Sequence, residues 1–182
     1  RKMSKSEGNF FTVREISEQY DLQILRFFML SAHYRSPLNF SADLMEASKT
    51  GLERIVNAAD SLKFLMGNAK TEEMTEEEKT AYAKTEEYVK AFEDAMEDDF
   101  NTADAVAAVF DLLKFSNTTA NEDCSKEFLQ KLLERLVTLM DVLGLTVDRK
   151  EEMLDEEIEK LIEERQAARK AKDFARADAI RD

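Results

Sequence analysis

The chain of 182 residues is poor in the residues that interrupt helices: it has four glycines and one proline. Sheet-rich folds need many turns, and turns draw on those two residues, so the shortage excludes most all-β architectures and favours long helices with few breaks. The abundance of Ala, Leu, Glu, Lys and Met points the same way. There is one cysteine, Cys124, so an intrachain disulfide is excluded, which suits a reducing compartment. With one cysteine and one histidine, His33, a zinc site of Cys and His ligands cannot be assembled from this chain. Its apolar runs fall far short of a bilayer span and no signal-peptide pattern is visible, so the expected setting is cytoplasmic, without a membrane.

Taken as a total, the net charge of −13 argues against a polyanionic partner. Its distribution argues otherwise. Residues 1–42 carry six basic and four acidic groups, whereas residues 43–100 carry seven and sixteen. The stretch from Arg165 to Arg181 has six basic groups and two acidic ones. Positive charge collects at the two ends around an acidic middle, and polyanion binding depends on the local face more than on the total.

The helical pattern can be followed by caps and stripes. Thr12 with Glu15 three residues on is a capping box opening a short helix over 13–19. Asp21 is the expected cap of the apolar helix in "DLQILRFFMLSA", with Leu25, Phe28 and Met29 on one face. Ser41 caps a helix to about residue 66 with Leu44, Ala47, Leu52, Ile55, Ala59 and Leu62 inside. Thr75 and Glu78 form a second capping box, for a helix to about Asp98 with Tyr82, Tyr88, Val89, Phe92 and Met96 inward. Thr102 is the expected cap of the next helix, with Val106, Val109, Phe110 and Leu113 as its stripe. A further helix closes at Gly144, and residues 155–182 read as helical again. The expectation is an all-α chain: short helices, then an antiparallel bundle over 42–145, flanked by segments 1–41 and 146–182. The Met, Phe and Leu stripes are accounted for as core, and the i,i+4 charges as solvated surface.

"KMSKS", Lys2 to Ser6, resembles the signature loop of class I aminoacyl-tRNA synthetases, a match that arises by chance at about 10⁻⁶ per position. "GNFFTVREI", "LRFFMLSAHYRSPLNFS", "DDFNTADAV" and "ARKAKDFARADAIRD" follow in the order and spacing of cysteinyl-tRNA synthetases, so the resemblance covers the whole chain. It implies a C-terminal piece that starts at the last catalytic loop: 1–41 as that loop and a stem-contact region, 42–145 as an anticodon-binding type of bundle, and 146–182 as the start of a final anticodon-recognition domain. It also implies ATP with Mg²⁺, cysteine and tRNA-Cys as the whole enzyme's ligands, a zinc site upstream, and a monomer. The zinc would bind the cysteine thiolate, a contact that serine matches poorly.

The chemistry of the loop is electrostatic. The amino-acid carboxylate attacks the ATP α-phosphate, pyrophosphate leaves, and ammonium groups stabilise the spreading negative charge. By resemblance, Lys5 contacts ATP and Lys2 is the second catalytic candidate. Met3 anchors the loop, and Ser4 and Ser6 are hydrogen-bond donors or small loop residues. Glu7 departs from the apolar residue common in relatives, and a carboxylate there must point away from triphosphate. The other reading of the loop is a solvated, disordered end.

At the far end, matching motif positions makes Arg169, Phe174 and Asp178 the anticodon candidates. An arginine fork can address a guanine edge and an aspartate can accept from base amino groups. Phe174, where relatives often have Trp, could stack on a base or simply pack. Arg169 and Asp178 lie about 900° apart on one helix, hence on opposite faces, so a joint role requires a break, expected near Lys172 and Asp173. The plain alternative is a solvated basic helix face. His33, Tyr34 and Arg35 follow a buried helix, in a region that the family places near the inner bend of tRNA. A cap and packing cluster explains them equally well. Asp98, Asp99 and Asn101 suggest a helix boundary before a metal site. Two other functions fit less of the sequence: a paralogue joining cysteine to a small amino sugar, for which the basic 165–181 stretch has no use, and a free-standing helical interaction module, for which the loop has none.

Overall fold

The computed structural model describes residues 12–148, which form six helices and no strand. They are α1 (Val13–Ser17), α2 (Leu22–Leu30), α3 (Ala42–Gly67), α4 (Glu76–Glu97), α5 (Thr102–Thr119) and α6 (Lys126–Val142). The short connections turn α5 back on α4 and α6 back on α5, whereas α3 and α4 barely touch. α4 packs chiefly on α5 and α3 on α6, with α2 laid across α3.

The starts of these helices follow from their caps. Thr12 and Glu15 form the expected box, Asp21 accepts from the Gln23 amide, and Ser41 accepts from the Leu44 amide. Thr75 and Glu78 form the second box. The cap of α5 is Asn101 rather than Thr102: its side chain accepts from the Asp104 amide. Thr102 already lies inside the helix, and an amide one residue earlier fits the sharp turn that precedes it.

The end of α6 is held by glycine. Gly144 sits at φ +66°, the Gly144 amide donates to the Asp141 carbonyl, and the Leu145 amide donates to Met140. This pair of bonds is the Schellman closure that a left-handed residue permits. A side chain at 144 would also collide with Arg26, whose Nη2 lies 2.5 Å from the Cβ position. Arg26 Nε donates to the Leu143 carbonyl at 2.7 Å, and Gln23 exchanges two hydrogen bonds with Thr146. α2 is thus pinned to the close of α6, 117 residues away in sequence.

Two clusters make up the core. The larger joins Phe27 of α2 to Leu52, Ile55 and Ala59 of α3, Phe92 of α4, Val106, Val109 and Leu112 of α5, and Leu136 and Met140 of α6. The smaller packs Leu62 and Met74 against Phe128, Leu129 and Leu132. Phe28, Leu52, Ile55, Ala59 and Leu62 are buried as expected, and the stripes of α2 and α3 depart from the sequence reading only at a few positions. In α2 the buried pair is Phe27 and Phe28, and Met29 is 61% exposed. In α3 Met45 and Ser48 are buried where Leu44 and Ala47 were expected. Both helices bury a face set by the crossing of α2 over α3, which a single-helix period does not encode.

One carboxylate ties the smaller cluster together. Besides accepting from Thr75 N at 2.8 Å, Glu78 accepts from Ser125 N at 2.7 Å and from Ser125 Oγ at 2.8 Å. Ser125 is itself the N-cap of α6. One side chain therefore closes the starts of two helices 47 residues apart. Burial pushes its pKa up, but the hydrogen bonds from Ser125 and Thr75 outweigh that and hold it below the ordinary carboxylate value. Beside it, the amides of Lys126 and Glu127 donate to the carbonyls of Thr71 and Glu72.

Candidate functional site

The residues singled out in the sequence fall into two groups. Lys2, Met3, Ser4, Lys5 and Ser6 at one end, and Arg169, Phe174 and Asp178 at the other, lie outside the described residues, as does the break expected near Lys172 and Asp173. His33, Tyr34, Arg35, Asp98, Asp99 and Asn101 lie inside them, and the fold brings most of these together.

α2 ends at Ser31, whose hydroxyl donates to the Phe28 carbonyl. The chain then turns, with the Ser36 amide donating to the His33 carbonyl. Across from it, the joint between α4 and α5 takes a rare form. Asp99 and Phe100 both sit in the left-handed region, at φ +55° and +54°. Aspartate tolerates this conformation, but phenylalanine rarely adopts it. The joint is held by backbone bonds from Phe100 N to Met96 O and from Asn101 N to Ala95 O. It leaves the Phe100 ring 67% exposed.

Asp99 is the hub. The Tyr34 hydroxyl donates to its Oδ1 at 2.9 Å, Arg35 Nη1 reaches Oδ2 at 3.1 Å, and His33 Nε2 lies 3.7 Å from the same oxygen. Arg35 Nε also donates to the Tyr34 hydroxyl at 2.9 Å. The His33 and Tyr34 rings stack at 4.9 Å and 25°, and the Arg35 guanidinium lies 5.3 Å from the Tyr34 centroid. His33 Nδ1 accepts from the Arg35 amide, which leaves the ring proton at Nε2, toward Asp99. The bond to Asp99 pushes the Tyr34 phenol above its ordinary pKa. Tyr34 is 62% exposed.

The cluster is a pair of stacked polar rings and a guanidinium gathered on one carboxylate. It presents the exposed Tyr34 ring beside a guanidinium paired with Asp99, and such a ring can stack on an unpaired base. The four residues come from two sequence stretches 65 residues apart, so their meeting could not be read from spacing. The left-handed joint had no signal either, since neither Asp99 nor Phe100 is a glycine.

No group of three His, Cys, Asp or Glu side chains that could hold a metal ion occurs among the described residues. Asp99 is engaged with Tyr34 and Arg35, and Asn101 with its helix. Cys124 is buried, and burial pushes its thiol pKa up, away from the thiolate that zinc requires. These residues do not fit the zinc that the family resemblance implies. No described helix is long and apolar enough to cross a membrane.

Residues 1–50 match the model for the tRNA synthetases class I (C) catalytic domain, and residues 91–148, from the end of α4 through α6, match the DALR domain. All 182 residues align at 60% identity with the cysteine–tRNA ligase of Lachnospira eligens. The whole chain is also 54% identical to the enzyme of that name from Lachnoclostridium phytofermentans, and 99% of it is 47% identical to the one from Clostridioides difficile. The chain is a homologue of cysteine–tRNA ligases along its whole length. The resemblance read from "KMSKS" and "DDFNTADAV" stands, as does the all-helical fold. The chain spans 39–40% of the length of these relatives and matches their C-terminal part. Both halves of the Asp99 hub lie in family-matched regions: His33 to Arg35 in the catalytic-domain match, and Asp99 in the DALR match.

Proposed function

We propose that the chain provides the tRNA-binding part of a cysteine–tRNA ligase, the enzyme that uses ATP to attach cysteine to tRNA-Cys in the cytoplasm. The observation that carries this reading is the 47–60% identity, along essentially the whole chain, with relatives that bear that name. The bundle is the scaffold. The exposed His33–Tyr34–Arg35 stack, anchored on Asp99, is one contact for RNA. Arg169, Phe174 and Asp178 supply the anticodon contacts, with Arg169 on a base edge and Phe174 against a base face.

Lys5, seconded by Lys2, stabilises charge on the ATP phosphates during formation of cysteinyl-adenylate, with Mg²⁺ bound to the triphosphate. Met3, Ser4 and Ser6 shape that loop. The zinc that selects cysteine belongs to residues other than these. The exposed acidic groups of α4 repel RNA, so the bundle meets it on its α2 side.

Titration with a tRNA-Cys transcript tests the reading. The chain binds it with an affinity that falls as salt rises, and Arg169→Ala lowers affinity and the preference for tRNA-Cys over another tRNA. Unchanged binding in that variant removes Arg169 from the site. The chain alone is expected to give no cysteine-dependent ATP–pyrophosphate exchange, and exchange by the purified chain refutes that division of labour.

A further inference from the structure

A cleft of about 510 Å³ opens between α2, the 31–39 segment and the first half of α3. That volume lies within the range of small-ligand sites, about 300–1,000 Å³. Phe27 and Phe110 line it, meeting edge to face with centroids 6.4 Å apart. The Phe27 ring is close enough to α3 that a Cβ at Gly51 would come within 3.0 Å of its Cε1. Ser31, Ala32, Leu38 and Asn39 form the side made by the 31–39 segment. Arg54 lines the cleft with its guanidinium carbon 5.1 Å from the Phe110 centroid, and it belongs to no ion pair among the described residues.

Apolar walls alone would suit many occupants, but an unneutralised cation over an aromatic ring selects among them. An apolar peptide segment could offer Arg54 backbone carbonyls but no charge to neutralise it. A nucleotide offers a flat ring for the wall and a phosphate for the guanidinium. The 31–39 segment lines the cleft with Leu38 and Asn39 and carries the His33–Arg35 stack at its turn, so a strand on one surface continues onto the other.

We infer that this cleft takes one unstacked nucleotide of a bound RNA strand, its base against Phe110 and Leu38 and its phosphate on Arg54. The Asn39 side-chain amide stands beside the base edge. The inference rests on the tRNA-binding reading above and adds to it a subsite on the bundle itself, distinct from the Asp99 hub.

Three variants of the 182-residue chain test it, titrated with a tRNA-Cys transcript over a range of salt. Arg54→Gln removes the charge. Arg54→Lys keeps it. Ala47→Trp fills the cleft from an exposed position of α3 that lines it. Arg54→Gln is expected to weaken binding about 10-fold and to lower the salt slope by about one unit, the signature of one lost phosphate contact. Arg54→Lys is expected to keep that slope, and Ala47→Trp to weaken binding by a similar factor with an unchanged melting temperature. Free CMP at the same concentrations should not displace the transcript. Binding by the unaltered chain with the same affinity and slope in Arg54→Gln and Ala47→Trp overturns the cleft assignment and leaves the tRNA-binding reading intact. Failure of the unaltered chain to bind the transcript overturns both. Displacement by CMP as effective as by RNA overturns the strand in favour of a free-nucleotide pocket.

Discussion

Two carboxylates, Glu78 and Asp99, each draw together distant parts of the chain, and they do so in opposite ways. Glu78 accepts mainly from backbone and cap groups, Thr75 N, Ser125 N and Ser125 Oγ, beside the core cluster of Phe128 and Leu129. Its neighbours are caps in ordinary extended conformations. Asp99 accepts from exposed side chains, Tyr34 and Arg35, and its own backbone lies in the left-handed region together with that of Phe100. The first satisfies amides that helix starts leave unpaired, which is a requirement of folding. The second arranges an aromatic and basic surface over a strained joint. Nothing about packing requires that, and strain of this kind collects at functional sites.

This contrast can be broken most forcefully at Glu78. Glu78→Ala strips three hydrogen bonds from two helix starts and is expected to cost about 2–3 kcal/mol, read as a lower midpoint in urea unfolding. The same group sets a pH dependence. Its folded pKa lies below the ordinary value, so its contribution is fully present above the unfolded carboxylate pKa and is lost as pH falls through the folded value. Glu127 is shifted the same way, by the Met74 amide and then Lys131, and Glu15 by Thr12. Stability should therefore fall on acidification below the ordinary carboxylate range, and Glu78→Gln should flatten that fall.

Gly144→Ala is expected to cost about 1–2 kcal/mol, because alanine pays for the left-handed backbone and pushes Arg26 off the Leu143 carbonyl. Thermal melting reads it, and exchange of the Leu145 amide should rise. Phe100→Gly has the smallest and opposite effect on the fold: a gain of up to about 1 kcal/mol, since the strain is relieved and little packing is lost. The same change should weaken RNA binding, so stability and binding move in opposite directions.

Much of this architecture is legible in the sequence because caps are local. Thr12, Asp21, Ser41, Thr75 and Gly144 act within a turn or two of themselves, and each closes the helix it was expected to close. The misreadings concern relations between elements. Met29 and Leu44 were placed inward by the period of their own helices, but the crossing of α2 over α3 rotates the buried face onto Phe27 and Met45. The second use of Glu78, on Ser125, and the meeting of Tyr34 with Asp99 span 47 and 65 residues and leave no mark in a local pattern. The cleft beside Arg54 is of the same kind, since α2, the 31–39 segment, α3 and α5 each contribute to it.

The claim that the Asp99 hub serves binding rather than folding is tested most directly by Asp99→Gly, which removes the carboxylate and keeps the left-handed backbone, with two readouts on one preparation: melting temperature and affinity for a tRNA-Cys transcript. An exposed ion pair and a surface hydrogen bond are worth about 1 kcal/mol or less, which is about 2–4 °C for a chain of this size. The expected result is a melting temperature lowered by no more than that, with affinity reduced about 5–10-fold as Tyr34 and Arg35 lose their anchor. A large fall in melting temperature, comparable to that of Glu78→Ala and accompanied by unchanged affinity, would contradict it.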